Sequence, residues 1–249
     1  MIRNIAILAA IGAFTAYADD ALPKADTILD HYIEVTGGKA AYEKRKTEVT
    51  VGTIEFAAQG LKGTLTRYAA APDKSYATME LDGVGKIESG SLNGVAWEKS
   101  AMMGARIKSG DEKSQSLREG QFNAALNWRK MYPKVETAGV ETVDGQECYK
   151  VSLTPDGGKT ETAYFDKKTG LEVKRTTVAS SPMGEVPVDV IVSSYKDFGG
   201  IMTPTKMIQK VAGQELVITI QSVKINEEIP ADKFEPPAEI KALMNKAAQ

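Results

Sequence analysis

Cysteine and histidine are nearly absent: Cys148 and His31 are the single representatives of their types in 249 residues. One cysteine excludes an internal disulfide. One possible ligand of each kind, far apart in the chain, excludes the usual zinc sites, which take several His or Cys. A Ser-His-Asp triad would have to recruit His31, which stands on a predicted helix beside Asp30 and Glu34, and no G-x-S-x-G elbow accompanies it. His31 therefore reads as a surface residue. The phosphate-cradling G-x-x-x-x-G-K-[ST], the dinucleotide fingerprint and the EF-hand loop are also missing. No metal and no cofactor is expected. Long runs of one charge are absent too, with 31 Lys and Arg against 33 Asp and Glu. Without a clustered basic surface, nucleic acid is not an expected partner. Aromatic residues make up 7% of the chain and only two are Trp, which counts against a sugar-lined cleft. Catalysis by two carboxylates needs no other residue type, so it stays as a lesser alternative to a non-enzymatic reading. Cys148, in the strand-like QECYKVSL, reads as a small half-buried apolar residue and not as a reactive thiol.

Long apolar runs are missing as well, except at the start. Ile5 to Ala16 carries no charge, Arg3 precedes it, and Ala16-Tyr17-Ala18 puts small residues where a signal peptidase reads them. Asp19 and Asp20 follow at once. This is the pattern of a secretory signal, cleaved after Ala18. The run is shorter than the about 20 residues of a spanning helix, which counts against a retained anchor. No Cys follows it, which excludes lipid attachment at a new N-terminal Cys. Every later apolar run is broken by charges or Gly, so the processed chain is expected in the periplasm with no transmembrane segment. Processing would leave about 230 residues, read as one domain over 19–249. The loss of Arg3 would bring the net charge to about −3.

What is present is two rhythms. Ile28, Leu29, Tyr32 and Ile33 recur at helical spacing, with Asp26 as the expected cap and Gly37-Gly38 as the stop. A second short helix is expected over Lys39 to Lys44. From Thr47 the period becomes two and β-branched and aromatic residues become common. Turn signals punctuate the chain at Gln59-Gly60, Asp82-Gly83, Asn93-Gly94, Asp144-Gly145, Asp156-Gly157-Gly158, Gly199-Gly200 and Gly213. Hairpins in such succession give an antiparallel meander, barrel or sandwich. The rhythm fails from Asp111 to about Tyr132, where Leu117, Gln121, Ala124, Trp128 and Met131 fall on one helical face, with Phe122, Ala125 and Leu126 beside it. A helix inserted between two runs of strands is expected there, ended by Pro133. Leu216 to Ile225 reads as a last long strand. Phe234 is expected to pin the tail to the sheet, and Ala238 to Ala248 to form a terminal helix or fray.

Several segments, in this order, resemble the LolA/LolB-like group of periplasmic lipoprotein-sorting proteins. They are VTGGKAAYEK (35–44), GTLTRYAAAPDK (63–74), LNGVAWEKS (92–100), YFDKKTGLEVKR (164–175), GGIMTPTKM (199–207) and DKFEPPAEI (232–240). The resemblance implies a mainly β fold with a few helices (α+β), an unclosed antiparallel β-barrel of about eleven strands with helices covering its concave face. It also implies an apolar cavity between sheet and helices. The pattern of that group puts an Arg just before the Pro that ends the second strand, engaged with the cavity lid. Here Ala71 precedes Pro72, and Arg67 stands four residues earlier.

Ligand cavities are lined mostly by aliphatic and aromatic side chains. The candidates are Phe56, Leu65, Met79, Leu81, Trp97, Met103, Phe122, Leu126 and Trp128. Each could equally be plain core between sheet and helix. The expected function is a non-catalytic carrier or receptor for an apolar ligand such as a lipid or a lipoprotein acyl chain. The alternative is a cell-envelope interaction module that uses a sheet edge or the convex face to bind an envelope protein.

Overall fold

The computed structural model describes residues 21–181 and 184–247. The expected signal segment, 1–18, lies outside the described residues. Two helices come first, α1 (Ala25–Val35) and α2 (Gly38–Lys44). Ala25, Ile28, Leu29 and Ile33 form the buried stripe of α1. Asp26 is not its cap: Lys24 holds the N-cap position without a side-chain hydrogen bond, and Asp26 lies in the first turn, where a carboxylate favours the helix dipole. Gly37 separates the two helices at φ 132°, and a Cβ there would lie 2.2 Å from the carbonyl oxygen of Gly200. Only glycine lets this corner close onto the sheet. The Thr36 carbonyl accepts from the Met202 amide at 3.0 Å at the same point.

Six strands follow: β1 (Thr47–Phe56), β2 (Leu61–Ala70), β3 (Lys74–Leu81), β4 (Gly85–Leu92), β5 (Val95–Ser100) and β6 (Gly104–Ile107). After an insertion containing α3 (Gly110–Glu119) and α4 (Trp128–Met131) come seven more. They are β7 (Lys134–Val143), β8 (Gln146–Thr154), β9 (Glu161–Asp166), β10 (Glu172–Ser181), β11 (Gly184–Phe198), β12 (Ile201–Val211) and β13 (Gln214–Ile225). A 3-10 turn (Ala231–Phe234) and α5 (Ala238–Ala247) end the described chain.

The thirteen strands form a single sheet in the order β6-β5-β4-β3-β2-β1-β13-β12-β11-β10-β9-β8-β7. Every pairing is antiparallel. The mainly β expectation holds, with two more strands than the resemblance implied. Asn93-Gly94, Asp144-Gly145 and Ala212-Gly213 all have positive φ at both positions, the two-residue turn that matches strand twist. β6 and β7 are the two edges, so the sheet does not close. The insertion is the chain that connects one edge to the other, and α3 reaches both arms, packing against β5 and β10.

The insertion is not one continuous helix. Gly120 caps α3, Asn123 takes φ 53°, and Asn127 bonds the carbonyls of Phe122 and Asn123 through its side chain, which competes with helical pairing. Only four residues from Trp128 regain helix before the chain extends into Pro133. No residue of α3 is buried.

Residues opposite each other in a ladder share a face of the sheet. Thr50, Arg67 and Ala77 line up on the concave face, the side that the insertion covers. Tyr68, Tyr76, Gly90 and Trp97 line up on the convex face. The C-terminal segment covers that convex patch: α5 packs against β6, Lys99 pairs with Glu239 at 2.7 Å, and Lys233 lies 5.9 Å from the Tyr68 ring. Phe234 is buried there, and the 3-10 turn that carries it packs on β3, as expected of a pin. Cys148 is fully buried in β8, where burial pushes its thiol pKa up, and it is no reactive site.

Candidate functional site

A cavity of about 420 Å³ lies between the lid (118–132), α1 and the concave face of β8–β12. Binding sites for small molecules fall in the range of about 300–1,000 Å³. Its apolar wall is built by Leu29, Ala125, Trp128, Leu153, Phe165 and Val190. A second cleft of about 300 Å³ shares Tyr32, Glu119, Ala124 and Ala125 with it and runs on toward Phe122 and Arg67. Small Ala124 and Ala125 leave space under the lid where larger side chains would fill it. Glu119 marks the hollow: protein surrounds it and burial raises its pKa, yet its side chain is exposed, because it faces the open space of both clefts.

The other end of the larger cavity is charged. Glu172 places both carboxylate oxygens on Arg175, at 2.8 Å to Nε and 2.9 Å to Nη2. Arg175 Nη1 donates to Glu161 Oε2 at 3.0 Å, which also accepts from the Tyr132 hydroxyl at 3.0 Å. Burial works against the Arg175 cation, but Glu172 and Glu161 outweigh it and hold its pKa well above the usual arginine value. Burial also raises the pKa of Tyr32, Tyr132 and Tyr195, so their hydroxyls stay protonated. Glu172 is thus held through both oxygens, and Glu161 through Oε2 by two donors. No cluster of three or more His, Cys, Asp or Glu with metal-binding geometry exists among the described residues.

Three contacts seat the lid. The Pro72 carbonyl accepts from the Phe122 amide at 3.1 Å and from Gln121 Nε2 at 2.8 Å. Gly120 lies so close to the sheet that a Cβ would meet Ser91 Oγ at 2.5 Å. Arg45 Nε donates to Asn123 Oδ1 at 2.9 Å while its guanidinium lies 4.8 Å from the Phe122 ring. The arginine that engages the lid is thus Arg45, from the α2–β1 junction. Arg67 sits beneath the lid and faces Glu48 at 3.4 Å.

The nine candidate residues do not converge on one place. Trp128 lines the larger cavity and Phe122 the second cleft. Leu126 packs against the cluster formed by α1, α2 and the lid. Phe56, Leu65, Met79 and Leu81 join Ile54, Ile218 and Ile220 in a separate packed cluster on the β1–β3 and β13 side. Met103 sits in the β5–β6 turn. Trp97 is 1% exposed on the convex face, so its position is a correction: β5 alternates, and the residues turned toward the lid side are Ala96 and Glu98. The charged groups Arg118, Glu161, Glu172 and Arg175 were not anticipated. Glu161 carried a usable signal, since it stands two residues from Ala163 and four from Phe165 on the buried face of β9.

No family model and no curated protein matches the sequence. Solved structures match the fold. A LolA superfamily protein from Nitrosomonas europaea aligns with a TM-score of 0.59 at 13% identity, over 86% of this chain and 99% of that one. A DUF1329 family protein from Desulfovibrio piger aligns at 0.58 and 18% identity, over 84% and 96%. A putative outer membrane lipoprotein-sorting protein domain from Vibrio parahaemolyticus aligns at 0.55 and 14% identity, over 84% and 97%. The chain therefore has the LolA-like fold.

Proposed function

We propose that the protein is a non-catalytic binding or carrier protein for a lipid-like ligand held under the lid. The observation that carries this reading is the unfilled cavity of about 420 Å³, with an apolar wall at one end and the Arg175 ion pairs at the other. A core built only for stability would close such a space, because interiors pack densely and voids cost free energy. The fold supports the reading, being that of a lipoprotein-sorting protein domain, though fold by itself names no ligand. The engaged state of Glu161 and Glu172 supports a non-enzymatic role over carboxylate catalysis. The reading includes export: the 1–18 signal would be removed after Ala18 and the protein would work in the periplasm. Among the described residues no helix is long and apolar enough to cross a membrane.

Native mass spectrometry of protein isolated from the periplasmic fraction tests both parts. The expected spectrum has a chain starting at Asp19 and a second species heavier by the mass of one lipid, which organic extraction removes. Absence of the protein from the periplasmic fraction would refute the export claim, and a chain there that retains residues 1–18 would refute cleavage after Ala18. A single ligand-free species that takes up no added lipid would refute the carrier claim.

A further inference from the structure

The chemistry at the polar end of the cavity narrows the ligand class, and this inference rests on the carrier reading above. Three cations stand near that end. Arg175 is engaged by two carboxylates. Lys108 donates to Ser116 Oγ at 3.0 Å and faces Glu98 at 3.7 Å and Glu112 at 3.9 Å. Arg118 differs from both. It lines the cavity and its side chain is only 16% exposed. Its Nε has no hydrogen-bond partner among the described residues. The carboxylate it faces, Glu161 Oε1, is 3.6 Å away, too far for a hydrogen bond, and the other oxygen of Glu161 is already held by Arg175 and Tyr132.

A guanidinium offers five donors in a planar fork that fits carboxylate and phosphate oxygens, and leaving its Nε buried without a partner is costly. We infer that Arg118 is the head-group anchor of this cavity, and that the ligand is a single-chain amphiphile with an anionic oxygen head, its tail lying along Leu29, Phe165 and Trp128. The position suits such a ligand. Arg118 stands in the last turn of α3 near the β8–β9 turn, where a Cβ on Gly158 would lie 3.5 Å from Nη1, so the head rests at the rim while the tail points inward.

Displacement of the neutral fluorophore N-phenyl-1-naphthylamine from the intact protein tests this. The competitors are dodecanoate, dodecyl phosphate and dodecanol, which share one tail and differ in head. The expected result is that at least one anion competes about tenfold better than the alcohol, the effect of one good charge-assisted contact. Whichever anion leads identifies the head as carboxylate or phosphate. Arg118→Gln is expected to reduce that advantage to within about twofold while leaving dodecanol unchanged, and Arg118→Lys to retain part of it. Equal competition by all three heads in the wild-type protein would overturn the anchor and leave the cavity reading standing, as would an undiminished preference in Arg118→Gln. Failure of the fluorophore and of every competitor to bind would overturn the cavity reading and this inference with it.

Discussion

Individual side chains at the polar end of the cavity are held by one another more than by packing. Glu161 and Glu172 are only 10% and 12% exposed and both rely on Arg175. Arg175→Met is expected to cost about 3 kcal/mol, because it leaves two carboxylates without their cation in a poorly solvated place. Urea denaturation would measure it, and Arg175→Met combined with Glu161→Gln and Glu172→Gln should recover most of the loss. A cost below about 1 kcal/mol for the single variant would mean that solvent already screens the cluster. Glu119 gives a prediction with a definite sign. Burial raises its pKa above the ordinary 4.5, while Lys108 and Gln115 pull it down and Glu161 adds to the rise. A carboxyl with a raised folded-state pKa contributes stability that is present below the unfolded value and is lost as pH rises through the folded value. Relative to Glu119→Gln, the wild-type protein should therefore lose thermal stability as pH rises from the ordinary 4.5 through the raised folded-state value. A difference in melting temperature that does not change over that range would refute the assignment.

At the scale of elements, the two faces of the sheet separate stability from binding. Ile240 of α5 is fully buried, and α5 belongs to the segment that covers the convex patch containing Trp97 and Tyr76. Ile240→Ala is expected to lower stability by about 3 kcal/mol, the usual loss for emptying such a site. Displacement of N-phenyl-1-naphthylamine should be unaffected, since the cavity lies on the opposite face; weakened binding without unfolding would contradict the separation. The elements themselves were largely legible in the sequence. Period-two patterning and Asn-Gly or Asp-Gly turns marked the hairpins, and the loss of that rhythm from Asp111 marked the insertion. What the pattern hid was orientation. Trp97 was chosen for being large and apolar, but β5 offers Ala96, Trp97 and Glu98 in succession, and which face looks inward is decided by pairing with β4. Apolar Phe56, Leu65, Met79 and Leu81 pack with Ile54, Ile218 and Ile220 in a cluster of their own and do not line the hollow under the lid. Arg118 and Arg175 were not legible because an apolar site gives no reason to select charge, and the Glu161 they share stands 43 and 14 residues away from them, although Glu172 is only three from Arg175.

The whole molecule joins these parts through its connectivity. The chain enters the insertion at one free edge, β6, and leaves it at the other, β7, so the lid spans the opening that the unclosed sheet leaves. The space beneath it holds Trp128, while the only other tryptophan, Trp97, is on the far side of the sheet. Single-tryptophan proteins made by Trp97→Phe and Trp128→Phe therefore report on opposite faces. Titration with a fatty acid brominated along its tail gives the most direct test, because bromine quenches only a fluorophore it nearly touches. Saturable quenching of Trp128 at one ligand per chain, with Trp97 unaffected, is the predicted result. Quenching of Trp97 instead, or of neither residue at saturating ligand, would contradict a lipid-sized hollow under the lid.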